Sequence, residues 1–294
     1  MQHDEIGVVR QFNRTVTQRI GALDEDYLAR SRPLGASRLL WEISDHGTDT
    51  RTLRTRLELD SGYLSRLLRR LESERLITVE PDSTDQRLRT VQLTKAGRTE
   101  RAALDRRSDE LAWSLLEPLD EARRAALVAA MTTVERLLTA ASVGIGIEDP
   151  TSADATWCIQ SYFAELDRRF TAGFDPGKAL SLDAAELIEP AGLLLLARLR
   201  GEPIGCGALK FHGTHPAEIK RMWVSSRARG LGVGRRLLAD LERQASSRGV
   251  TTVHLETNRT LTEAIALYRS SGYQEVSAFN DEPYGDHWFE KRLP

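Results

Sequence analysis

A chain of 294 residues is long for one small domain and comfortable for two, each able to bury its own core. Apolar residues at 40% and charged residues at 29% exclude disordered and fibrous classes, and a formal net charge of -2 gives no global basic footprint, so nucleic-acid binding must rest on local charge. Cys158 and Cys206 exclude a disulfide framework and read as reduced packing residues, while short apolar runs such as Leu193 to Leu196 and a charged, amphipathic Met1 to Ile20 argue against membrane spanning and secretion.

Residues 4 to 140 read as helix after helix around one short strand pair. Ile6 to Ile20 is apolar at helical spacing. Pro33 to Asp45 is predicted helical, with Leu34, Leu39, Leu40 and Ile43 at core positions, and Asp49 to Leu57 gives a second short helix. A third begins at Asp60 or Ser61, either able to cap it, and runs to about Glu74 with Leu64, Leu67, Leu68 and Leu71 on one stripe. Tyr63, Arg66, Arg69 and Arg70 are left outward. Two short helices joined by a tight turn, the second with a basic outer face, is the geometry of a helix-turn-helix in a major groove, where Arg can pair bidentately with guanine. Leu76 to Glu80 and Arg87 to Leu93 read as strands, with Pro81 to Gln86 as the hairpin tip of a wing. Residues 51 to 75 carry seven Arg against four acids and 87 to 107 carry seven Lys and Arg against two, so the neutral total hides two basic patches.

Asp82-x-x-Asp85-x-Arg87, followed by Val91-x-Leu93-Thr94-x-x-Gly97, resembles the wing and exit of the MarR family of winged-helix regulators, and the resemblance covers about residues 4 to 140. It implies that Arg87 enters the minor groove with Asp85 as its orienting carboxylate, and that Tyr63, Ser65, Arg66 and Arg69 form the recognition face. It also implies a homodimer through the first and last helices, consistent with the apolar spacing of Ile6 to Ile20 and Leu104 to Leu138, reading a pseudo-palindromic double-stranded operator.

Val143 to Asp154 is the seam, with glycines and a proline that end a helix; its Val143, Ile145, Ile147 alternation also suits a first strand. Beyond it the predicted order is helix 152 to 170, strands near 191 to 200, 203 to 212 and 217 to 224, a glycine-rich turn, a helix to about Ser247, strand 251 to 257, helix 260 to 271 and two final strands. In that turn Gly230, Gly232 and Gly234 lack side chains that would block a pyrophosphate, the helix amino terminus supplies amide donors, and Arg229 and Arg235 add positive charge. His212 and His215 flank Gly213-Thr214 without identifiable metal-ligand partners, so no metal is expected.

Arg229-x-x-Gly232-x-Gly234, in this order of elements, together with Ala264-Ile265-Ala266-Leu267-Tyr268-x-x-x-Gly272-Tyr273, resembles the GNAT acetyltransferase superfamily over about residues 145 to 294. The resemblance implies acetyl-CoA as co-substrate, held by Met222, Trp223 and Val224 on the strand before the loop, by Arg229, Gly230, Leu231, Gly232, Val233, Gly234 and Arg235 in the loop, and by Asn258. It implies Tyr268 as general acid for the departing thiolate and Glu256, twelve residues earlier, as base. Separately from the resemblance, His287 on the final strand is an alternative base, since an imidazole changes charge near neutrality. One departure is Leu261, where those enzymes carry an asparagine seven residues before the tyrosine.

The expected protein thus has two domains: an all-α winged helix-turn-helix with a small β-wing over 1–142, then an α/β acyltransferase fold with a mixed, mostly antiparallel sheet over 143–294. The expected function is a cytoplasmic, DNA-bound regulator that also acetylates a small amine or a peptide amino terminus. Two other readings stay open: a regulator whose second domain senses acetyl-CoA or an amine without turnover, and a protein acetyltransferase tethered by its winged helix.

Overall fold

The computed structural model describes residues 2–81, 89–180, 182–213 and 215–294, the side chains of Gln2, His3 and His215 excepted. Asp82, Asp85 and Arg87, singled out in the wing, lie outside the described residues. The chain divides into two compact units, Met1–Met131 and Thr132–Pro294. No helix among the described residues is long and apolar enough to cross a membrane.

The first unit opens with α1 (Gln2–Arg19), then α2 (Leu34–Glu42), β1 (Thr48–Asp49), α3 (Thr50–Leu57), α4 (Ser61–Ser73), β2 (Ile77–Pro81), β3 (Arg89–Leu93) and α5 (Lys95–Leu116), while α6 (Glu121–Ala141) spans the division. Leu64, Leu67, Leu68 and Leu71 of α4 are buried against Leu39, Leu40 and Ile43 of the α2 segment, as their spacing predicts. Asp49 and Asp60 cap α3 and α4 by accepting from Thr52 N and Tyr63 N. The sheet has three strands, β1-β3-β2, one more than the pair expected: the two-residue β1 is too short to show as an alternation. The exit motif has a physical basis. Thr94 caps α5, its Oγ1 accepting from Gly97 N at 3.0 Å and donating to Arg75 O at 2.8 Å. A Cβ on Gly97 would stand 2.0 Å from Leu76 O, so only glycine lets α5 meet β2 here.

In the second unit, β4 (Val143–Glu148), β5 (Gly192–Leu199), β6 (Glu202–His212), β7 (His215–Val224), β8 (Thr252–Thr257), β9 (Gln274–Val276) and β10 (His287–Arg292) form a sheet ordered β4-β5-β6-β7-β8-β10-β9. Every recorded pairing is antiparallel except β7 with β8. The helices are α7 (Ala153–Arg169), α8 (Val233–Ser246) and α9 (Thr262–Ser270). Leu193, Leu195 and Ala197 of β5 join Leu237, Leu238 and Leu241 of α8 in one core. Leu194 and Leu196 join Ala155 and Cys158 of α7 in another. Helices cover both faces of β5, which is why its apolar run is continuous rather than alternating. Cys158 and Cys206 are both buried and form no disulfide.

Candidate functional site

The site is set by a defect in the sheet. β7 and β8 pair only at Ala217 with Val253 and Glu218 with His254, so residues 219–224 leave their parallel neighbour and a fork opens between the strands. On its other edge β7 carries a bulge: its register with β6 steps from Trp223 opposite Cys206 to Lys220 opposite Ala208. Arg221 lies in the bulge with φ 52°, a left-handed conformation costly for a residue with a Cβ.

Beyond β7 the chain passes through the glycine loop into α8. Gly230 and Gly232 have φ of 80° and 74°, and a Cβ at either would meet no atom within 4 Å, so the space over the loop is open. Gly234 serves differently: a Cβ there would touch Leu267 of α9 at 3.4 Å. The first amides of α8 have no carbonyl of their own helix to bond and sit at its positive dipole end.

Two cavities flank the fork. The loop-side cavity, about 500 Å³, is lined by Met222, Trp223, Val224, Arg229, Gly230, Gly232, Val233, Gly234 and Arg235, which brings together all but two of the residues expected to hold the coenzyme. Leu231 packs against the sheet core instead. Asn258 lines the other cavity, its amide engaged with Tyr284 O and with Thr260 N and Oγ1 at 2.8 to 3.0 Å. Spacing alone could not show that this amide closes a turn.

Tyr162, Glu165, Leu166 and Arg169, one face of α7, also line the loop-side cavity. They stand at i, i+3, i+4 and i+7, a pattern that a helical wheel of 153–169 would have drawn out. Glu165 accepts from Trp223 Nε1 at 2.9 Å and from the guanidiniums of Arg229 and Arg169. Burial pushes its carboxyl upward, but these donors outweigh that and hold it below the ordinary range.

The second cavity, about 350 Å³, is lined by Phe163, Phe170, Phe174, Arg221, Glu256, Glu282 and Tyr284 among others. Tyr162, Leu166, Met222, Leu261, Ala264 and Tyr268 line both cavities. Tyr268, on α9, is 5% exposed, and burial together with the nearby Glu256 charge raises its phenol above its ordinary range. Glu256 is not a free carboxylate: Lys220 Nζ is 2.6 Å from its Oε1 and 3.2 Å from Glu218 Oε2. Burial pushes the Glu256 carboxyl above its ordinary range against the pull of Lys220. His287 lies elsewhere, its Nδ1 2.6 Å from Glu275 Oε1, and lines neither cavity. Among the described residues no group of three or more His, Cys, Asp or Glu side chains is gathered to hold a metal.

In the first unit, Ser65, Arg66 and Arg69 are exposed on α4. Tyr63 differs from expectation. It is half-buried, its hydroxyl only 2.5 Å from where a Cβ on Gly35 would stand, so the ring packs toward α2 while Arg66 lies over its face at 5.6 Å. Arg51, Arg54 and Arg89 line a surface depression with Ser65 and Arg69. The charge tally of 51–75 contained the first two of these arginines without singling them out.

Comparison with known proteins agrees with both halves. The acetyltransferase (GNAT) family model matches residues 159–273, and the MarR family model matches residues 31–88. An IAA acetyltransferase of Azospirillum brasilense is 37% identical over 123 residues, 41% of this chain and 78% of that protein. The N-alpha-acetyltransferase RimI of Mycobacterium tuberculosis is 34% identical over 142 residues, 47% of this chain and 84% of that protein. A solved Klebsiella pneumoniae structure, described as an acyl-CoA N-acyltransferase, is 30% identical, covers 52% of this chain and 98% of its own, and has a TM-score of 0.42. With both family models and the Azospirillum and Mycobacterium relatives in agreement, the chain belongs to the GNAT acetyltransferase family and carries a MarR-family segment ahead of that domain.

Proposed function

We propose that the second unit transfers the acetyl group of acetyl-CoA to a primary amine, and that the first unit binds double-stranded DNA as a homodimer, making one cytoplasmic polypeptide both regulator and enzyme. The carrying observation is the Tyr268 phenol on the wall common to both cavities. Acetyl-CoA occupies the loop side. Its pyrophosphate meets the α8 amides over Gly230 and Gly232, and the unpaired edge of 222–224 takes the adjoining arm. The open space over the loop fits such a group.

The acceptor enters from the second cavity as a neutral amine. Its lone pair attacks the thioester carbonyl carbon, and the C–S bond breaks as the amide forms. The sulfur leaves with the Tyr268 proton, and the phenol regains one from the nitrogen, through Glu256 acting as base. The Lys220 pair tempers that base, and this observation also favours a second reading, in which the domain senses acetyl-CoA without turnover. A relative named for N-alpha-acetylation supports testing peptide amino termini beside small amines.

On the DNA side, exposed Ser65, Arg66 and Arg69 and the clustered Arg51, Arg54 and Arg89 support a recognition face, with Tyr63 bracing Arg66 and Arg87 assigned to the minor groove by resemblance. Exposed Ile6, Val9 and Phe12 on α1 and Val128 and Leu138 on α6 support dimerisation. Coenzyme A thiol release across amines, amino acids and peptides, with and without operator DNA, tests turnover and coupling together. Release with some acceptor is expected; acetyl-CoA binding with no release across the panel would establish the sensor reading. Arg66→Ala is expected to weaken operator binding by about 1 to 3 kcal/mol in a sequence-selective way.

A further inference from the structure

We infer that Arg221 is a carboxylate anchor, and that the amine acetylated here is an amino acid with an aromatic or large apolar side chain, bound through its own α-carboxylate. This rests on the acetyl-transfer reading of the fork and adds the class of acceptor.

The bulge in β7 puts Arg221 in a left-handed conformation, φ 52°, that its neighbours hold in place. Its carbonyl, displaced from the regular ladder, accepts from Cys206 Sγ at 3.4 Å. Its side chain lines the acceptor cavity, donates from Nη2 to Leu182 O at 2.6 Å and lies 5.4 Å from the centre of the Phe163 ring. Strain at a bulge that aims one long cation into a cavity is expensive if the cation does nothing there.

The partners of that cation are unusual for this part of the molecule. Lys220 has Glu256 and Glu218, Arg169 has Glu165 and Glu263, and Arg229 has Glu165. Among the described residues Arg221 forms no ion pair; the charges of Asp183, which lines the same cavity, and of Glu186 act on it without a recorded contact, and Glu186 is bonded to Lys210 at 2.6 Å. Burial lowers the Arg221 pKa from its usual value, as expected for a guanidinium taken from water without a matching anion. The guanidinium has five N–H donors, and the fork geometry of those not spent on Leu182 O suits the two oxygens of a carboxylate. A ligand that supplies this anion recovers much of the desolvation cost already incurred by the protein.

The rest of the cavity fixes the remainder of the ligand. Phe163, Phe170, Phe174 and Tyr284 form a linked cluster with ring centres 4.9 to 5.8 Å apart, a floor for an aromatic or bulky apolar group. Met222, next to Arg221, reaches the wall shared with the loop side, as does Tyr268. An α-amino acid carries its amine one carbon from its carboxylate, so anchoring the latter at Arg221 holds the former near the fork.

The test uses the full-length protein, with binding of L-phenylalanine, L-phenylalaninamide and phenethylamine measured by calorimetry and coenzyme A release measured in parallel. L-phenylalanine is expected to bind about 10- to 100-fold more tightly than the two amines that lack the carboxylate. Arg221→Gln should erase that preference, and Arg221→Lys should restore part of it. Equal binding of all three ligands by the native protein overturns the inference whatever becomes of the variants, as does tighter binding of a peptide amino terminus. Preferential binding of L-phenylalanine without any thiol release would leave the anchor standing and overturn the acetyl-transfer reading instead.

Discussion

On the loop side of the fork about half of the lining comes from one continuous stretch, Met222 to Arg235, the rest from α7 and the α9 region, and much of the chemistry of that stretch belongs to the backbone: an unpaired strand edge, two left-handed glycines and the first turn of α8. On the far side it is built from separated pieces of chain, Phe163 to Phe174 around the end of α7, the loop to Asp183, Lys220 to Met222, Glu256 to Asn258 and Glu282 to Gly285, and its chemistry belongs to side chains. The contrast suits the proposed roles. A common co-substrate can be met by local, repeatable geometry, whereas an acceptor particular to one protein needs residues that only the tertiary fold assembles.

Three substitutions press on that division. The largest effect is expected at Gly232→Asp: a Cβ there would meet no atom within 4 Å, and aspartate is among the residues that enter the left-handed region at modest strain, so the fold should survive, but its charge would face an incoming pyrophosphate. Acetyl-CoA binding, followed by calorimetry, should fall by more than about 100-fold, roughly 3 kcal/mol, with amino-acid binding unchanged. Loss of both together would mean that the two sides are not separable. Tyr268→Phe, on the shared wall, should lower kcat by about 100-fold while acetyl-CoA affinity holds within a few-fold. An unaltered kcat would remove the phenol from proton transfer. The smallest effect concerns Leu261, which stands at the amino-terminal cap of α9 without a side-chain bond. Leu261→Asn should raise thermal stability by about 1 kcal/mol through the missing cap, and a fall in stability would show that its apolar contact with both cavities matters more.

The same contrast governs what could be read from sequence. The glycine loop, the helix amino terminus and Tyr268 were legible because their residues are close in sequence or occur in a fixed spacing. In the first unit the α4 stripe and the Thr94-x-x-Gly97 exit were legible for the same reason. Asn258 stands apart from the other expected coenzyme residues, with its amide closing a turn, and an amide that closes a turn and one that meets a ligand look alike in one dimension. Glu256 could be singled out by its spacing from Tyr268, but its partner Lys220, thirty-six residues away on a neighbouring strand, could not. The bulge at Arg221 left no mark in the alternation of β7, since a single extra residue merely shifts which side chains face which way. Tyr63 was placed outward by its helical position, whereas the absence of a side chain at Gly35 draws its ring inward.

The two-pair contact between β7 and β8 has a thermodynamic corollary. A sheet that stops short leaves its work of closure to whatever enters the fork, so occupancy and folding become one linked equilibrium, and the second unit should be at its most rigid when it is loaded. In the second unit, supply of the proposed co-substrate would then be registered as stiffness before any product is made.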